Sequence, residues 1–528
     1  VFYQDIRYGH QTGVDIKVPW ELSRFQHLTT LGQAFLITKN TKYSDEYRNE
    51  IIDWTENNPV GFGVNWKTTM EVAIRASNWL VAMEYFSKTN PFTVEFLTEF
   101  YRSVYEHGRF IRAHLEYSPF FKGNHYLSNI VGLMFIAIYC PFFKEARKWL
   151  DFCKREIERE MQNQVYDDGC NFEASTSYHR LVLELFFFCE TICERANIHF
   201  SSSYKSKLRK MFDFSLYCIK PNGMIPQIGD NDSGRFIVFG KRPILDQTYL
   251  LNWAAIRYKE SRFKRPEYGF DEESFWIFGW EGASCWNGLP CAENPLGSRA
   301  FPHAGWFVLR DTHDYCFISC GPNGQNGKGG HAHNDKLSFE LMLNGRDVIV
   351  DPGTYVYTSY PEERNKFRAT AHHNTIKFND CEQNPISNSL FYLSGSAEII
   401  DTKLEETDRE VRFEGAIRYN GVSHCRIITL DKRSGDWRIS DNLSSAKPRT
   451  AQLLFHLAPG VTYDPKESMV KESETEIAFL EVRGRDLEGV EYDYSPEYGA
   501  KAKSEMLTTK AIEVMSDLTL STCIRRTT

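Results

Sequence analysis

The chain has 528 residues, of which 42% are hydrophobic and 25% charged, and a formal net charge of −8 at pH 7. Since one hydrophobic core rarely supports more than about 300 residues, two domains are expected. The negative charge argues against a nucleic-acid partner, and an acidic polymer would need a local concentration of lysine and arginine. No apolar run reaches the roughly 18 residues that span a bilayer, so no membrane insertion is expected.

The 13 cysteines contain no CxxC pair, which favours reduced, mostly buried thiols over a disulfide framework. The chain begins Val1-Phe2-Tyr3, without an initiator Met or a basic leader, which suggests a trimmed N-terminus. The compartment therefore stays open: periplasm or secretion if a signal peptide was removed, and cytoplasm otherwise. The oligomeric state is equally open.

Residues 20 to about 260 are predicted to be helical, because apolar residues recur at helical spacing. Short polar or Pro/Gly connections favour the antiparallel return of consecutive helices, so residues 1–290 should form a ring of helical hairpins. The clearest predicted helices are 20–38, 68–86, 93–115, 125–139, 172–196 and 203–218.

The pattern changes after a Gly/Pro-rich stretch at 281–302, beyond which apolar residues alternate with a period of two. Asn344-Gly345 accepts positive φ and should join predicted strands 337–343 and 347–350 in a tight hairpin. Residues 291–528 are therefore expected to form stacked antiparallel sheets. Later predicted strands are 410–418, 426–430, 437–439, 450–457 and 518–524.

Side chains suited to proton transfer occur in three short segments: Gly123-Asn124-His125-Tyr126-Leu127, residues 175–180 and residues 329–335. They supply an amide, imidazoles and a phenol, without a nucleophile elbow or an obvious pair of catalytic carboxylates. This set suits removal of a proton next to a carboxylate better than hydrolysis. Such chemistry is the β-elimination of a uronic-acid polysaccharide.

The order of three motifs resembles that of heparinase II/III-like polysaccharide lyases. The motifs are Gly-Asn-His-Tyr-Leu at 123–127, Phe-Glu-Ala-Ser-Thr-Ser-Tyr-His-Arg at 172–180 and His-Ala-His-Asn-Asp-Lys-Leu-Ser-Phe-Glu at 331–340. Val-Asp-Pro-Gly-Thr-Tyr at 350–355, followed by 364–375, extends the resemblance over nearly the whole chain. It implies a multidomain α+β fold, with an N-terminal α/α toroid (residues 1–290) followed by a C-terminal antiparallel β-sandwich (residues 291–528).

The resemblance also implies an enzyme, a polysaccharide lyase whose substrate is an acidic, uronic-acid polymer and whose products carry 4,5-unsaturated uronate ends. Similar enzymes act on heparan sulfate, heparin, hyaluronan, alginate and other uronate polymers. The identity of the polymer, its sulfation and endo or exo action therefore stay open.

The C5 proton of a uronate becomes removable only when the adjacent carboxylate is neutralised, which requires hydrogen-bond donors. Asn124 is the candidate for this task, with His125 beside it. In the family a tyrosine and a histidine usually carry the proton transfers, and Tyr178 and His331 match these positions. Which of the two is acid and which is base stays open. The structural alternatives are that Asn124 caps a helix and that Tyr178 is a core aromatic.

Tyr178 can act as a base only if cations stabilise its phenolate, because a free phenol has a pKa of about 10. His179 and Arg180 are the neighbours predicted to supply that charge and to contact substrate. As an acid, Tyr178 needs no such help.

Two further segments are predicted to contact sugar. Asn65, Trp66 and Arg75 resemble a family stretch near the cleft, where Trp66 would stack on a pyranose and Arg75 would meet an acidic group. The equal alternative is a helix start with a Glu71–Arg75 ion pair. Arg364, Lys366 and Arg368 provide the required basic concentration; Arg368 belongs to the family pattern, and a solvated charged loop is the alternative.

His333, Asp351 and His373 form a separate set. Two imidazoles and one carboxylate are a usual zinc donor set, although these spacings match no short zinc motif. The resemblance implies a metal in the β-domain at these positions, distinct from the catalytic histidine. We therefore predict a structural zinc ion, with His372 as an alternative ligand and no organic cofactor; the alternative is a buried histidine cluster hydrogen-bonded to Asp351.

Two other functions stay open. A glycoside hydrolase on a helical toroid would need two carboxylates about 5–9.5 Å apart, for which Asp167, Asp168 and Glu173 are candidates. A non-catalytic, acidic-glycan-binding protein of exopolysaccharide handling would keep the cleft without turnover. Products distinguish these cases, because hydrolysis leaves no double bond.

Overall fold

The computed structural model describes residues 1–9, 11–117, 122–292, 295–379 and 381–527. In the described part, helices α1–α11 precede the first strand and α12 lies among the strands. In chain order they are α1 (Lys17–Ser23), α2 (Leu28–Thr38), α3 (Lys42–Asn57), α4 (Thr69–Glu84), α5 (Val94–Ala113), α6 (Asn124–Tyr139), α7 (Ala146–Gln164), α8 (Thr176–Arg195), α9 (Ser202–Cys218), α10 (Tyr249–Tyr258), α11 (Glu272–Gly288) and α12 (Pro361–Phe367).

The helices form two concentric layers. α4, α6 and α8 are buried on nearly all sides and pack on one another in that order. α5 and α7 bury one apolar face against them and leave charged residues outside, as amphipathic surface helices do. Where α4 and α6 cross, a Cβ on Gly132 would lie 2.6 Å from that of Ala73, so the glycine permits this close approach. The predicted α/α toroid is confirmed.

Two predicted helices begin or end differently from expectation. Residues 20–38 form two helices rather than one, because Phe25 adopts a left-handed conformation (φ 55°) that interrupts the helix while its ring remains buried. The helix predicted to begin at Phe172 begins at Thr176 instead. Ala174 has φ 55°, and the Ser175 side chain caps the helix by accepting from the backbone N–H of Tyr178.

The strands pair in antiparallel sheets. β1 to β5 form one sheet in sequence order; the largest sheet has the order β12-β13-β14-β18-β10-β9-β8-β7; the third has the order β15-β16-β11-β17, with β6 also paired to β11. The strands are β1 (Arg299–Phe301), β2 (Trp306–Arg310), β3 (Tyr315–Ser319), β4 (Ser338–Leu343), β5 (Arg346–Ile349), β6 (Ile376–Phe378), β7 (Glu398–Glu406), β8 (Glu410–Tyr419), β9 (Val422–Asp431), β10 (Trp437–Ser445), β11 (Arg449–His456), β12 (Val461–Asp464), β13 (Met469–Glu472), β14 (Thr475–Val482), β15 (Leu487–Tyr494), β16 (Ala502–Thr509), β17 (Ile512–Val514) and β18 (Asp517–Arg526).

Strands β2, β3 and β4 of the first sheet are buried on both faces, whereas the largest sheet buries one face. Residues of β8 and β9 alternate between buried and partly exposed positions, the period-two pattern of a half-buried strand. Phe307 of β2 meets Phe413 of β8 with ring centroids 4.8 Å apart, which joins the first sheet to the largest. Asn344 and Gly345 have φ of 48° and 77° at the β4–β5 turn, as predicted for a tight hairpin. The predicted antiparallel β-sandwich is confirmed.

The helical and β-rich parts are packed against each other. Phe214 of α9 stacks on Trp306 of β2 at 5.1 Å, and the Tyr315 hydroxyl donates to the Cys218 carbonyl at 2.7 Å. This docking brings loops of the β-rich part over the N-terminal ends of the inner helices. All 13 cysteines are free and most are buried, and no helix in the described ranges is long and apolar enough to cross a membrane.

Candidate active site

A cleft of about 450 Å³ lies where the N-terminal ends of α4, α6 and α8 meet loops of the β-rich part. Helix N-termini carry partial positive charge. Here the protein's own side chains accept from them: Glu116 from the Met70 N–H, Glu173 from the Asn124 N–H and Ser175 from the Tyr178 N–H. All four predicted catalytic residues line this cleft: Asn124, His125, Tyr178 and His331.

Asn124 is the first residue of α6, and it is held by a buried carboxylate. Its side-chain Nδ2 donates to Glu173 Oε2 at 2.7 Å, and its backbone N donates to Glu173 Oε1 at 2.8 Å. The Asn124 side chain therefore does not cap the helix. One amide hydrogen stays available for a ligand.

His125, the next residue, has about half of its side chain exposed in the cleft (48%). Its Nδ1 lies 3.1 Å from Glu116 Oε1. Desolvation in the cleft lowers the pKa of His125, but the Glu116 carboxylate more than offsets this, and the net pKa is raised. A raised pKa favours the protonated imidazole, which can pair with an anion.

Tyr178 and His331 form one wall of the cleft. Their rings stack with centroids 3.7 Å apart and planes 19° apart, although they come from α8 and from the loop between β3 and β4. The Tyr178 hydroxyl donates to Asp232 Oδ2 at 3.0 Å and lies 3.3 Å from the Tyr357 hydroxyl. The Nδ1 atom of His331 lies 2.9 Å from Asp230 Oδ2. Each ring thus has its own carboxylate partner.

The environment of Tyr178 opposes a phenolate. Burial raises its pKa well above the usual value, and the negative charges of Asp232 and Asp230 raise it further. His179, one predicted source of positive charge, is enclosed on α8, where burial lowers its pKa to about 3. Tyr178 therefore holds its proton in this state, as a general acid must.

Asp230 connects the Tyr178–His331 wall of the cleft to the cluster of His333, Asp351 and His373. It accepts from both terminal nitrogens of Arg364, from His331 Nδ1 and from His333 Nε2 at 2.5–2.9 Å. Burial alone would raise the pKa of Asp230, but Arg364 and the two imidazoles outweigh it and hold the pKa below its usual range. A carboxylate at Nδ1 favours the His331 tautomer that leaves Nε2 unprotonated.

Asp230 and Asp232 are functional candidates that the sequence reasoning missed. Lys17 Nζ lies 3.2 Å from Asp232 Oδ2, and this cation helps to hold the pKa of Asp232 low against the effect of burial. A Cβ on Gly229 would lie 2.4 Å from the Ala174 carbonyl and 2.7 Å from that of His331, so only glycine allows this loop to reach the site. In the sequence, the run Asp230-Asn231-Asp232 between two apolar segments could have pointed to these two carboxylates.

Asn65, Trp66 and Arg75 do not reach the cleft, contrary to expectation. Trp66 is 1% exposed, and Arg75 lies between the Trp54 and Trp66 rings, 4.1 Å and 5.2 Å from their centroids. Arg75 donates to His107 and to the Asn65 carbonyl. The alternative, a Glu71–Arg75 pair, is also wrong, because the Glu71 carboxylate is occupied by Arg24 at 2.7 Å.

His179, Arg180 and Arg368 also point into the protein. His179 Nε2 lies 3.2 Å from the Met211 carbonyl, and Arg180 donates to the Ile244 and Gly234 carbonyls. Arg368 donates to backbone carbonyls between residues 387 and 392. These side chains fix loops around the site, so their predicted contact with substrate is not supported by where they lie.

The lysines and arginines that line the cleft are matched in number by carboxylates, which corrects the expectation of a basic groove; His125, with its raised pKa, adds positive charge. Arg364 is held by Asp230, and Lys366 pairs with Asp493 at 2.9 Å, so the predicted basic group offers little free charge. The residues lining the cleft include Lys17, Arg24, Lys67 and Lys328 as cations and Asp15, Glu71, Glu116 and Asp232 as anions.

His333, Asp351 and His373 come together with ligand atoms within 4.8 Å of one another. All three are buried, and His333 Nδ1 and His373 Nε2 have no hydrogen-bond partner in the described part of the chain. Asp351 Oδ2 lies 2.7 Å from His373 Nδ1. Two unpartnered imidazole nitrogens beside a carboxylate fit a zinc ion. His372, the alternative ligand, lies outside this cluster and packs against Phe367 and His456.

The hydrolase candidates are separated. Asp168 caps the backbone N–H groups of His303 and Ala304, while Asp167 is 75% exposed and lies 3.4 Å from Lys207. Only Glu173 approaches the site, 3.7 Å from His331 Nε2, and both its oxygens accept hydrogen bonds from Asn124. No two of these three carboxylates are therefore placed to lie on either side of a glycosidic bond, as hydrolysis would require.

Several known proteins resemble this chain. Heparin-sulfate lyases from Bacteroides stercoris and Pedobacter heparinus are each 25% identical to it, over 84% and 71% of this chain and 66% and 54% of the relative. The chain thus spans less than two thirds of the length of these curated relatives. Among solved structures, heparinase III has a TM-score of 0.75 at 20% identity, covering 96% of this chain and 76% of that one.

Two further solved structures share the fold. Heparan sulfate lyase HepC from Pedobacter heparinus gives a TM-score of 0.65 at 20% identity over 99% of this chain and 78% of that one, and a chondroitinase AC lyase gives 0.56 at 10% identity over 95% and 75%. Residues 2–241 match the family described as "Heparinase II/III N-terminus". Residues 293–525 match the family described as "Heparinase II/III-like, C-terminal". Because these two matches cover nearly the whole chain, the protein belongs to the heparinase II/III family.

Proposed function

We propose that this protein is a polysaccharide lyase that cleaves a uronic-acid polymer by β-elimination and leaves 4,5-unsaturated uronate ends. The observation that carries the proposal is the stacked pair of Tyr178 and His331 in the cleft, each with its own carboxylate partner. The named activities of the heparin-sulfate lyase relatives agree with it.

The proposed roles follow from the protons that each group holds. Asn124 and His125 bind the uronate carboxylate, the amide through its free hydrogen and the imidazole through its raised pKa. Neutralising that carboxylate acidifies the C5 proton. His331, held at Nδ1 by Asp230, takes the C5 proton on Nε2.

The electrons of the C5–H bond then form the C4=C5 double bond, and the C4–O4 bond breaks. Tyr178, which keeps its proton in the resting state, donates it to the departing O4. The proton on His331 returns to the Tyr178 phenolate through solvent, which restores the starting state. No water is consumed, so the products differ from those of hydrolysis.

The cleft favours a substrate of modest charge. Carboxylates match its lysines and arginines, which leaves His125 as the cation for the uronate, whereas a heavily sulfated chain would bring several negative charges to each disaccharide. We therefore infer that a glycosaminoglycan or exopolysaccharide rich in uronate and poor in sulfate is preferred over heparin.

We also propose that His333, Asp351 and His373 hold a zinc ion. The ion would link the loop before β4 to the loops that follow β5 and α12, and would stabilise their arrangement. Because His333 also contacts Asp230, the zinc site would support the wall that carries His331.

The test is to incubate the protein with heparosan, heparan sulfate, heparin, hyaluronan, chondroitin and alginate, and to follow the ultraviolet absorbance of the conjugated product. We expect absorbance to rise on a low-sulfate polymer and to stay flat with the Tyr178→Phe variant. New reducing ends without absorbance would indicate a hydrolase. Binding without either signal on any polymer would indicate a glycan-binding protein.

A further inference from the structure

A second pocket, of about 370 Å³, lies at the other end of the helical domain. The C-terminal ends of α4, α6 and α8 form it, whereas their N-terminal ends form the cleft. α6 carries Asn124 at its first residue and Tyr139 at its last, so the two sites lie about 22 Å apart along the helix. This pocket, called the far-mouth pocket below, is therefore separate from the cleft.

Aromatic side chains form most of its wall. Tyr85 and Trp276 meet edge to face with centroids 5.7 Å apart, and Tyr139, Phe188 and Phe239 line the remaining sides. Flat apolar rings beside hydroxyl groups suit a ligand with apolar C–H faces and polar edges, as a pyranose ring has.

Two oppositely charged side chains also line the pocket, and their charges attract each other. Within the described residues, however, neither Glu84 nor Arg195 forms a direct ion pair. Arg195 Nη2 donates to the Ile277 carbonyl at 3.3 Å, which leaves most of the guanidinium's donors available. Because the C-terminal ends of three helices bring partial negative charge to the pocket, Arg195 is the contact that an acidic group would need, and Glu84 offers an acceptor for hydroxyl groups.

The aromatic wall continues to the surface along α11. Trp276 lies 6.0 Å from Phe275, and Phe275 lies 5.0 Å from Trp280, which is 78% exposed. A break in α11 at Gly279 (φ 63°) precedes this tryptophan. This exposed indole extends the row of rings from the pocket to the protein surface, where a ligand could contact it.

We propose that the far-mouth pocket and Trp280 form a second, non-catalytic binding site for an acidic oligosaccharide. One pyranose lies against Tyr85 and Trp276, its carboxylate meets Arg195, and Glu84 accepts from a hydroxyl group. The next sugar lies on Trp280. The site would hold one part of a polymer while another part occupies the cleft.

The test uses the full chain carrying Tyr178→Phe, so that no probe is cleaved during the measurement. The probe is a saturated tetrasaccharide of alternating glucuronate and N-acetylglucosamine, titrated by calorimetry. We expect two sites per chain, and we expect Arg195→Gln or Trp280→Ala to weaken one of them roughly tenfold. Arg485→Gln and Phe62→Ala, exposed side chains that line neither site, serve as matched controls and should change nothing.

The outcomes separate this inference from the proposed function. If the cleft does not bind the probe, one site should remain, and Arg195→Gln should still weaken it. Unchanged stoichiometry and affinity in both far-mouth variants would overturn the inference, as would the absence of saturable binding there. Equal affinity for neutral cellotetraose would exclude the acidic ligand class.

Discussion

Two fully buried arginines, Arg364 and Arg75, are held in opposite ways. Arg364 donates through both terminal nitrogens to Asp230, which also binds His331 and His333. Among the described residues, no carboxylate contacts Arg75 directly; it lies between indole rings and donates to a histidine, a serine hydroxyl and a backbone carbonyl. Burial accordingly lowers the pKa of Arg75, whereas the carboxylate of Asp230 compensates the charge of Arg364.

The charge of Arg364 supports the candidate active site, whereas that of Arg75 lies in the packed aromatic core. Asp230 fixes imidazole groups at the cleft, so loss of its cation would disturb chemistry as well as folding. The Arg75 cluster ends in aromatic rings of the helical core. Substitutions near Asp230 should therefore impair both activity and folding, whereas substitutions around Arg75 should impair mainly folding.

Tyr178→Phe should reduce kcat by roughly 10²–10⁴-fold on the polymer that the wild type cleaves, because O4 would lose its proton donor. Trp66→Phe, in the Arg75 cluster, should retain at least about half of the activity, since Trp66 does not line the cleft. Initial rates of ultraviolet absorbance measure both. Full activity of Tyr178→Phe would refute the proposed proton transfers.

Arg364→Met should lower the free energy of unfolding by about 3–5 kcal/mol, because Asp230 would remain buried with an uncompensated charge. Arg75→Met should cost less, about 1–2 kcal/mol, from lost packing and from the loss of long hydrogen bonds to Ser23 and Asn65 and a 3.0 Å bond to His107. Urea unfolding of both variants, with activity measured at each step, tests the contrast. Equal costs would mean that the two clusters do not differ as described.

His373→Ala should abolish zinc binding and lower the Tm by roughly 5 °C or more, if the proposed ion stabilises the β-rich part. His372→Ala should keep the zinc, because His372 lies outside the ligand cluster. Metal analysis by mass spectrometry and thermal unfolding of the same samples provide the readout. Carefully purified wild type without zinc would disprove the proposed site.

A third buried arginine, Arg426, pairs with a carboxylate away from the cleft, Asp441, at 2.7 Å. Burial raises the pKa of Asp441, but Arg426 and His424 outweigh it and lower the pKa to about 2. The stability from this pair is present above the unfolded pKa of about 3.9 and is lost as the pH falls through about 2, a contribution of about 2 kcal/mol. Chemical unfolding at pH 5 and pH 2.5 should show it.

The matched variant Asp441→Asn should be less stable at pH 5 and should lose part of the pH dependence between these two values. An unchanged slope would show that Asp441 has an ordinary pKa in the folded protein.

The sequence predicted the two-part architecture because it depends on periodicity, which neighbouring residues display. It also predicted four catalytic residues that all line the cleft, because the order of their motifs matches the order seen in the family. It could not separate Trp66 from Tyr178, since each is an aromatic residue beside polar ones near a helix start. The structure separates them by burial and by direction. Asp232 was missed because its partner, Lys17, is distant in sequence and no local pattern joins them.

The stacked wall of the cleft has a consequence for inactivation. Tyr178 belongs to the helical domain and His331 to the β-rich domain, so the pair exists only while the two are docked. A small sliding of one domain over the other would separate the rings without melting either core. The proposed lyase activity should therefore disappear at a lower temperature than secondary structure, and would be a sensitive measure of domain alignment.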